Sequence, residues 1–498
     1  MGKFDVLLSN KFFCCALFLI ISFVFVLFFE TAVSPIFAEQ GCDSSVFKLM
    51  GLAILKGKVP YRDLFDHKGP VMYFIQAFAQ MIIPGRYGIF ILRTVSLTFC
   101  SLLWFKISKW FIAPKRGLLV VLLTFFTYYS IESLYGRECG NLTEDWSILF
   151  ITISFYNVVK LSQLINGKIQ CEYLKLITIG FCFSCCFFIR PNDAVAFIGG
   201  PVIGLLWLLI ENKNCKKIGI VISCVATGAL IICIPVIIYF LANNALYDFW
   251  YGLIGYNSMY SGGIRCMLLE CFRVNKYQYL PILVTVCTMA WYINKSMLRL
   301  LIPTCILCYI LLGSLCFDHY FIVWLPVVFL AFWILLFSKS NCWGIKVLSL
   351  MLYFSLSFYC GRNILKIPYR LYSDYKIYKG IVPKEVEFYK RSSCVFEDVK
   401  ETDSIWSYNL GWNDSVNTFG VLWKNGIVPD NRFPLVFLCE DMMSEDMDIT
   451  VNNPKYILLS KDNAMLSTYA ERDSLFIVEK YKVLSSCNNP NLVMYERK

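Results

Sequence analysis

Histidine is nearly missing from this sequence: only two occur among 498 residues. Charge is sparse as well, at 16% of residues, against 58% hydrophobic and 17% aromatic. A soluble domain carries about 25% charged residues, so one large soluble globule is excluded. Disorder, collagen and coiled coil fail on the same composition. There is no internal repeat, no low-complexity tract and no Gly-rich phosphate loop. The missing phosphate loop argues against a nucleotide-sugar or ATP-driven mechanism. The 23 cysteines show no zinc spacing, and most lie inside apolar runs, where Cys acts as a small hydrophobe. A bridge among Cys42, Cys139, Cys266, Cys271, Cys394, Cys439 and Cys487 stays open.

What is present is grease in long runs. A spanning helix needs about 20 mostly apolar residues. The first such run covers residues 12–29, behind Lys3 and Lys11. No small-x-small cleavage site follows, so it reads as an uncut first helix. Further runs centre near residues 95, 124, 153, 182, 202, 230, 286, 307, 328 and 351. Residues 69–84 are too short for a span and suit an interfacial juxtamembrane helix.

The net charge of +11 raises nucleic acid as a partner, but the positions of the charges argue against it. If 69–84 does not cross, the N-terminus and the loops with Lys106, Lys109, Lys115 and Arg116 share one side. So do the loops with Lys160, Lys168 and Lys175; Lys213, Lys216 and Lys217; Lys295 and Arg299; and Lys339 and Lys346. That is the positive-inside pattern. The expected fold class is therefore an all-α polytopic membrane protein of about eleven transmembrane helices, N-terminus cytoplasmic. Residues 1–361 form the membrane domain, with a first outer loop at about 31–86 containing the helix at 69–84. Residues 362–498 change character. Short strand-like runs at 404–408, 434–438, 455–460, 475–479 and 481–484, with a helix at 384–391, predict a small extracytoplasmic α/β domain.

The scarce charge collects on the outer side. The first outer loop carries Asp43, Tyr61, Arg62, Asp63, Asp66, His67, Lys68, Gly69 and Pro70. Both histidines, His67 and His319, occur as Phe-Asp-His at the outer end of an apolar run. The loop at 132–145 adds Arg137, Asn141, Glu144 and Asp145. Arg190, Pro191, Asn192 and Asp193 interrupt the apolar stretch between two spans, and Tyr320 follows His319. Ionisable groups at membrane depth are functional candidates. A transporter of lipid-linked glycans would place them mid-membrane in broken helices; here they line the surface.

The run from Asp43 through Lys58, Pro60, Tyr61, Asp63 and Asp66-His67-Lys68-Gly69-Pro70 resembles the first extracytoplasmic loop of GT-C membrane glycosyltransferases. The relatives are protein O-mannosyltransferases, aminoarabinose transferases of lipid A and lipopolysaccharide-core Rgt-type transferases. Asn141-Leu-Thr-Glu144 and His319-Tyr320 with Pro326 look like family features too. Asp43 is followed by Ser44 where the family usually has an acidic pair. The resemblance implies a GT-C fold in the plasma (inner) membrane and a polyprenyl-phosphate sugar donor. It implies transfer of a hexosyl or pentosyl group, with inversion, to a glycan, lipid or protein acceptor. It also implies Asp43 as the catalytic base; the bland alternative is a helix N-cap. Lys68 and Arg190 are candidate phosphate ligands or snorkelling cations. Asp66, His67, His319 and Tyr320 are candidates for donor phosphate or sugar. Asp63, Tyr61, Asn141, Glu144 and Asn192 order the loop or the acceptor. Asp63 and Asp66 pair with Arg62 or Lys68 in the loop-ordering reading, and Glu144 with Arg137. Tyr61, Trp250, Tyr256 and Tyr260 either stack on sugar or belong to the interfacial belt. No metal or other cofactor is indicated, and a divalent ion near Asp43 stays open. The rival readings are a flippase or transporter, and a polymerase or ligase, of lipid-linked glycans.

Overall fold

The computed structural model describes residues 3–36, 42–132, 140–164, 172–260, 295–311, 318–337, 347, 372, 376, 394–396, 399–400, 402–408, 418–432, 452–460, 476–484 and 492–498. The predicted spans near 286 and 351, the helix at 384–391 and the strand at 434–438 lie outside these residues.

Helices dominate. A short α1 (Lys3–Leu7) leads to α2 (Lys11–Phe29). Asn10 starts α2, its side chain accepting from the amides of Phe12 and Phe13 at 2.9 and 3.2 Å, an ordinary N-cap. Next come α3 (Cys42–Leu55), α4 (Pro70–Ile82), α5 (Arg86–Lys109), α6 (Pro114–Glu132), α7 (Thr143–Leu164) and α8 (Tyr173–Phe187). Helices Pro191–Glu211 and Lys216–Ala242 follow. A broken helix runs from Leu246 to Tyr260, and Lys295–Leu311 and Asp318–Phe337 complete the described bundle.

Four of these helices are long and apolar enough to cross a membrane: Lys11–Phe29, Arg86–Lys109, Pro191–Glu211 and Lys216–Ala242. Their outward side chains suit hydrocarbon. Leu19, Ile20 and Phe23 on α2, and Ile222, Leu230 and Ile238 on the 216–242 helix, are exposed. By contrast α4 is a shorter apolar helix of 13 residues, where a span needs about 20.

Packing is close where glycine allows it. Gly180 of α8 and Gly228 of the 216–242 helix each lie against the other helix's backbone, with no room for a Cβ. Small residues let membrane helices approach this way.

Described residues of the basic loops make ion pairs with nearby acids. Lys115 pairs with Asp5 at 3.5 Å, Lys175 with Glu172, and Arg299 with Glu211. The last turn of α2, the first turn of α7, the end of α8 and the start of helix 191–211 are drawn together by ion pairs of Arg93 with Glu30 and Asp145 and of Arg190 with Glu144 and Asp193.

The C-terminal residues contribute a four-stranded sheet: β1 (Ile405–Tyr408), β2 (Tyr456–Ser460), β3 (Tyr481–Val483) and β4 (Leu492–Arg497), in the order β1-β2-β4-β3. β1 and β2 are parallel; β4 runs antiparallel to both neighbours. Three strands match the expectation. The strand expected at 475–479 is corrected: residues 476–480 form a helical turn. β3 begins immediately afterwards and occupies the position beside β4, so tertiary pairing overrides the β-branched composition. β4 carried no clear alternating signal.

Helix Thr418–Lys424 packs on α3, and the segment after it grips the first loop. Trp423 Nε1 donates to Gln80 Oε1 at 2.7 Å. Lys58 pairs with Asp430 at 2.7 Å, and the Phe65 amide donates to the Arg432 carbonyl at 2.8 Å.

Candidate active site

The first loop is built around its own charges. Asp63 accepts from the Val59 amide at 2.7 Å and from Arg62 Nε and Nη2 at 2.7 and 2.9 Å. Burial works to raise its pKa, but Arg62 and the Val59 amide hold it below the ordinary aspartate range. Tyr61 adopts φ +69°, a conformation a bulky residue takes only when its surroundings enforce it. It is fully buried against Tyr73, Phe240 and Phe249, and Arg432 Nε holds its carbonyl at 2.9 Å. Tyr61 is therefore core to the loop and cannot stack on sugar.

The turn that follows is fixed at each residue. Asp66 Oδ1 accepts from the His67 amide and Oδ2 from the Tyr73 hydroxyl, both at 2.8 Å. Burial opposes its ionisation, yet His67, Lys68 and Tyr73 together hold its pKa down. His67 Nδ1 faces Asp66 Oδ1 at 3.4 Å, and its Nε2 lies 2.9 Å from Lys68 Nζ. Burial, then the Lys68 charge, depress the imidazole's pKa, so His67 is neutral near pH 7. Gly69 is required by contact: a Cβ there would strike the backbone of Phe188. Its amide donates to the Ile189 carbonyl at 3.1 Å. That bond places Lys68 and Arg190 each one residue from a shared contact.

Arg190 stands at the break before Pro191. It pairs with Glu144 and reaches Asp193 at 3.4 Å. Its guanidinium lies 3.7 Å from the Tyr320 ring centroid, within cation–π range. His319 Nε2 is 3.9 Å from Glu144, and its ring packs edge-on against Tyr320. The structure thus brings Arg190, Glu144, Asp193, His319 and Tyr320 into one cluster, beside the Asp66–Lys68 turn. Glu144 pairs with Arg190; Arg137, its expected partner, lies outside the described residues, as does the side chain of Tyr260.

Asp43 is in the first turn of α3, which begins one residue earlier, and is buried. Its neighbour Ser44 accepts from Asn141 Nδ2 at 2.9 Å. Asn141, at φ +61°, is a hub: its Oδ1 accepts from Gln76 at 2.7 Å and from Trp146 at 2.9 Å. It joins α3, α4 and α7 three residues before Glu144. Asn192 stands apart from this set, bonding the Leu311 carbonyl at 3.2 Å; it ties helices together. Trp250 is exposed at the rim, and Tyr256 packs on Phe65 and His67. No group of three or more His, Cys, Asp or Glu side chains among the described residues is arranged to hold a metal ion.

A second ionic cluster went unnoticed in the sequence. Arg93, fully buried in α5, holds both oxygens of Glu30 at 3.0 and 2.9 Å. It also donates to the Asp145 carbonyl and to Tyr128, which bonds the Asp145 carboxylate. The available signal was an arginine inside an apolar run with an acid at the end of another, since charges there need partners.

No family model matches the sequence, and no curated protein matches it. Among solved structures the fold matches the crystal structure of ArnT from Cupriavidus metallidurans bound to undecaprenyl phosphate. The TM-score is 0.56 at 10% identity, covering 96% of this chain and 97% of that one. The same protein in the apo state matches with TM-score 0.54 at 11% identity and the same coverage. This chain shares that protein's fold over nearly its whole length.

Proposed function

With the GT-C fold as the frame, we propose that the chain is an integral membrane glycosyltransferase of the plasma (inner) membrane. It takes a sugar from a polyprenyl-phosphate donor on the outer face and passes it to a glycan, lipid or protein acceptor. The reading includes about eleven spans with the N-terminus inside, and the C-terminal α/β domain outside, resting on the first loop. The supporting observation is the cluster of Arg190, Glu144 and His319 beside Lys68. Asn141, three residues before Glu144, bonds Ser44 next to Asp43, in a fold shared with a protein solved with undecaprenyl phosphate bound.

Such transfer asks little of the protein chemically. The acceptor oxygen forms a bond to the anomeric carbon, and its proton passes to a carboxylate, Asp43 in this reading. The bond from that carbon to the phosphate oxygen breaks, and the oxygen leaves with the electron pair. Attack opposite the leaving group inverts the anomeric centre. Lys68 stabilises the phosphate as its charge grows. Arg190 already faces two carboxylates, so its charge is partly neutralised. It serves the phosphate only by sharing, and equally orders Glu144 to receive the acceptor. His319 lies against that same carboxylate.

The test is transfer from radiolabelled polyprenyl-phosphate sugars by wild type and Asp43→Asn protein. Wild-type transfer with loss of activity in the variant is expected. Full activity in Asp43→Asn removes Asp43 as the base. Movement of intact lipid-linked glycan without bond cleavage would establish the transporter reading instead.

A further inference from the structure

Lysine is a flexible point charge on four methylenes, and side chains at adjacent residues normally diverge. Lys68 does the opposite, curling back so that its ammonium meets the imidazole of the preceding residue at 2.9 Å. The imidazole is itself fixed. Asp66 Oδ1 faces His67 Nδ1 at 3.4 Å, which favours the proton on Nδ1 and leaves the Nε2 lone pair toward Lys68. Asp66 is held in turn by the His67 amide and Tyr73 hydroxyl. The main chain is pinned on both residues: Asn257 Nδ2 donates to the His67 carbonyl at 2.8 Å and Tyr61 to the Lys68 carbonyl at 2.5 Å. The ring packs on Tyr256 and is almost wholly buried, at 3% exposure.

We propose that His67 is a positioning residue: its neutral imidazole, oriented by Asp66, holds the Lys68 ammonium in place for the phosphate of the donor. This rests on the glycosyltransferase reading and deepens it. An ammonium has three donors and no acceptor. With one directed at Nε2, the other two are fixed in direction, so a flexible cation becomes an oriented one. Less side-chain entropy is then lost when phosphate binds. His67 acts on the donor through Lys68 rather than by touching it, because Nε2 faces the lysine and Nδ1 faces Asp66.

The experiment compares wild type, His67→Gln and His67→Ala as full-length protein in nanodiscs. Glutamine offers an acceptor near the Nε2 position; alanine offers none. Two readouts are taken. The first is the rate of reductive methylation of Lys68 in ligand-free protein, followed by peptide mass spectrometry. The second is kcat and KM for the polyprenyl-phosphate sugar. His67→Ala is expected to methylate faster at Lys68 and to raise donor KM about tenfold, the scale of one charge-assisted hydrogen bond, with a smaller change in kcat. His67→Gln restores most of both. Equal methylation in all three proteins overturns the proposal, as does a glutamine variant as impaired as alanine while both melt like wild type. If wild type neither transfers sugar nor binds undecaprenyl phosphate, the glycosyltransferase reading fails, and the methylation rates still decide whether His67 positions Lys68.

Discussion

Two consecutive carboxylates at the start of α7 face two different arginines. Asp145 belongs with Arg93, Glu30 and Tyr128, all fully buried. Glu144 belongs with Arg190, whose side chain is 12% exposed, and with His319. The pairs are chemically alike and one residue apart, but the first is closed. Arg93 spends its donors on Glu30, the Asp145 carbonyl and Tyr128. The second stands beside a lysine, two histidines and the edge of the first loop. A closed ionic cluster fixes where helices sit, whereas an open one has partners left to exchange. The same turn thus carries a staple on one face and a candidate reaction site on the other.

Exchanging the roles of the two arginines breaks the comparison if it is wrong. The largest effect is expected at Arg93→Met. Removing one partner of a buried pair leaves an uncompensated charge and costs about 3–5 kcal/mol. The outcome is loss of monodisperse protein in size-exclusion chromatography, or a large fall in melting temperature. Arg190→Gln is expected to fold, since that side chain is partly exposed, yet to lose transfer about a hundredfold, as for one transition-state donor. An Arg93→Met protein that melts like wild type would show the two clusters to be equivalent.

Asn141→Ala sharpens the contrast between stapling and chemistry. It removes the bonds to Ser44, Gln76 and Trp146 together. Stranding those buried groups costs about 1–3 kcal/mol, and the Asp43 and Glu144 segments lose their link. Both melting temperature and kcat fall, unlike at Arg190, where kcat falls more than stability. Unchanged kcat would separate Asn141 from the site.

The open cluster was largely legible in the sequence: histidine occurs only twice and charge is scarce, so Lys68, His67, Arg190, Glu144 and His319 could be singled out by residue type and position in the topology. Their partnerships were not legible. Nothing local ties Glu144 to Arg190, 46 residues away; the packing of α7 against α8 does. The closed cluster was missed because Arg93 is a single charge in an otherwise apolar run, read as part of a span. Tyr61 was legible as a loop-ordering candidate, but its positive φ and burial were not, because they follow from contacts with residues around 240–249. In the C-terminal sheet, residues 476–480 had strand composition, but strand pairing is decided by the neighbour available in space.

The smallest expected effect concerns Asp63, the loop's own staple. Its carboxylate pairs with Arg62, which is 39% exposed, so screening limits the pair to about 1 kcal/mol or less. The folded pKa is lowered, so the sign follows from linkage. The contribution is full above the unfolded value of about 4 and is lost as pH falls through the lowered folded value. Asp63→Asn therefore lowers the melting temperature slightly at pH 7, and the gap to wild type narrows as the pH is taken below about 4. Limited proteolysis in the first loop reads the same change locally, faster in the variant at neutral pH. A gap that widens on acidification would mean that Asp63 is held protonated in the folded loop, and that the Arg62 pair is not what orders it.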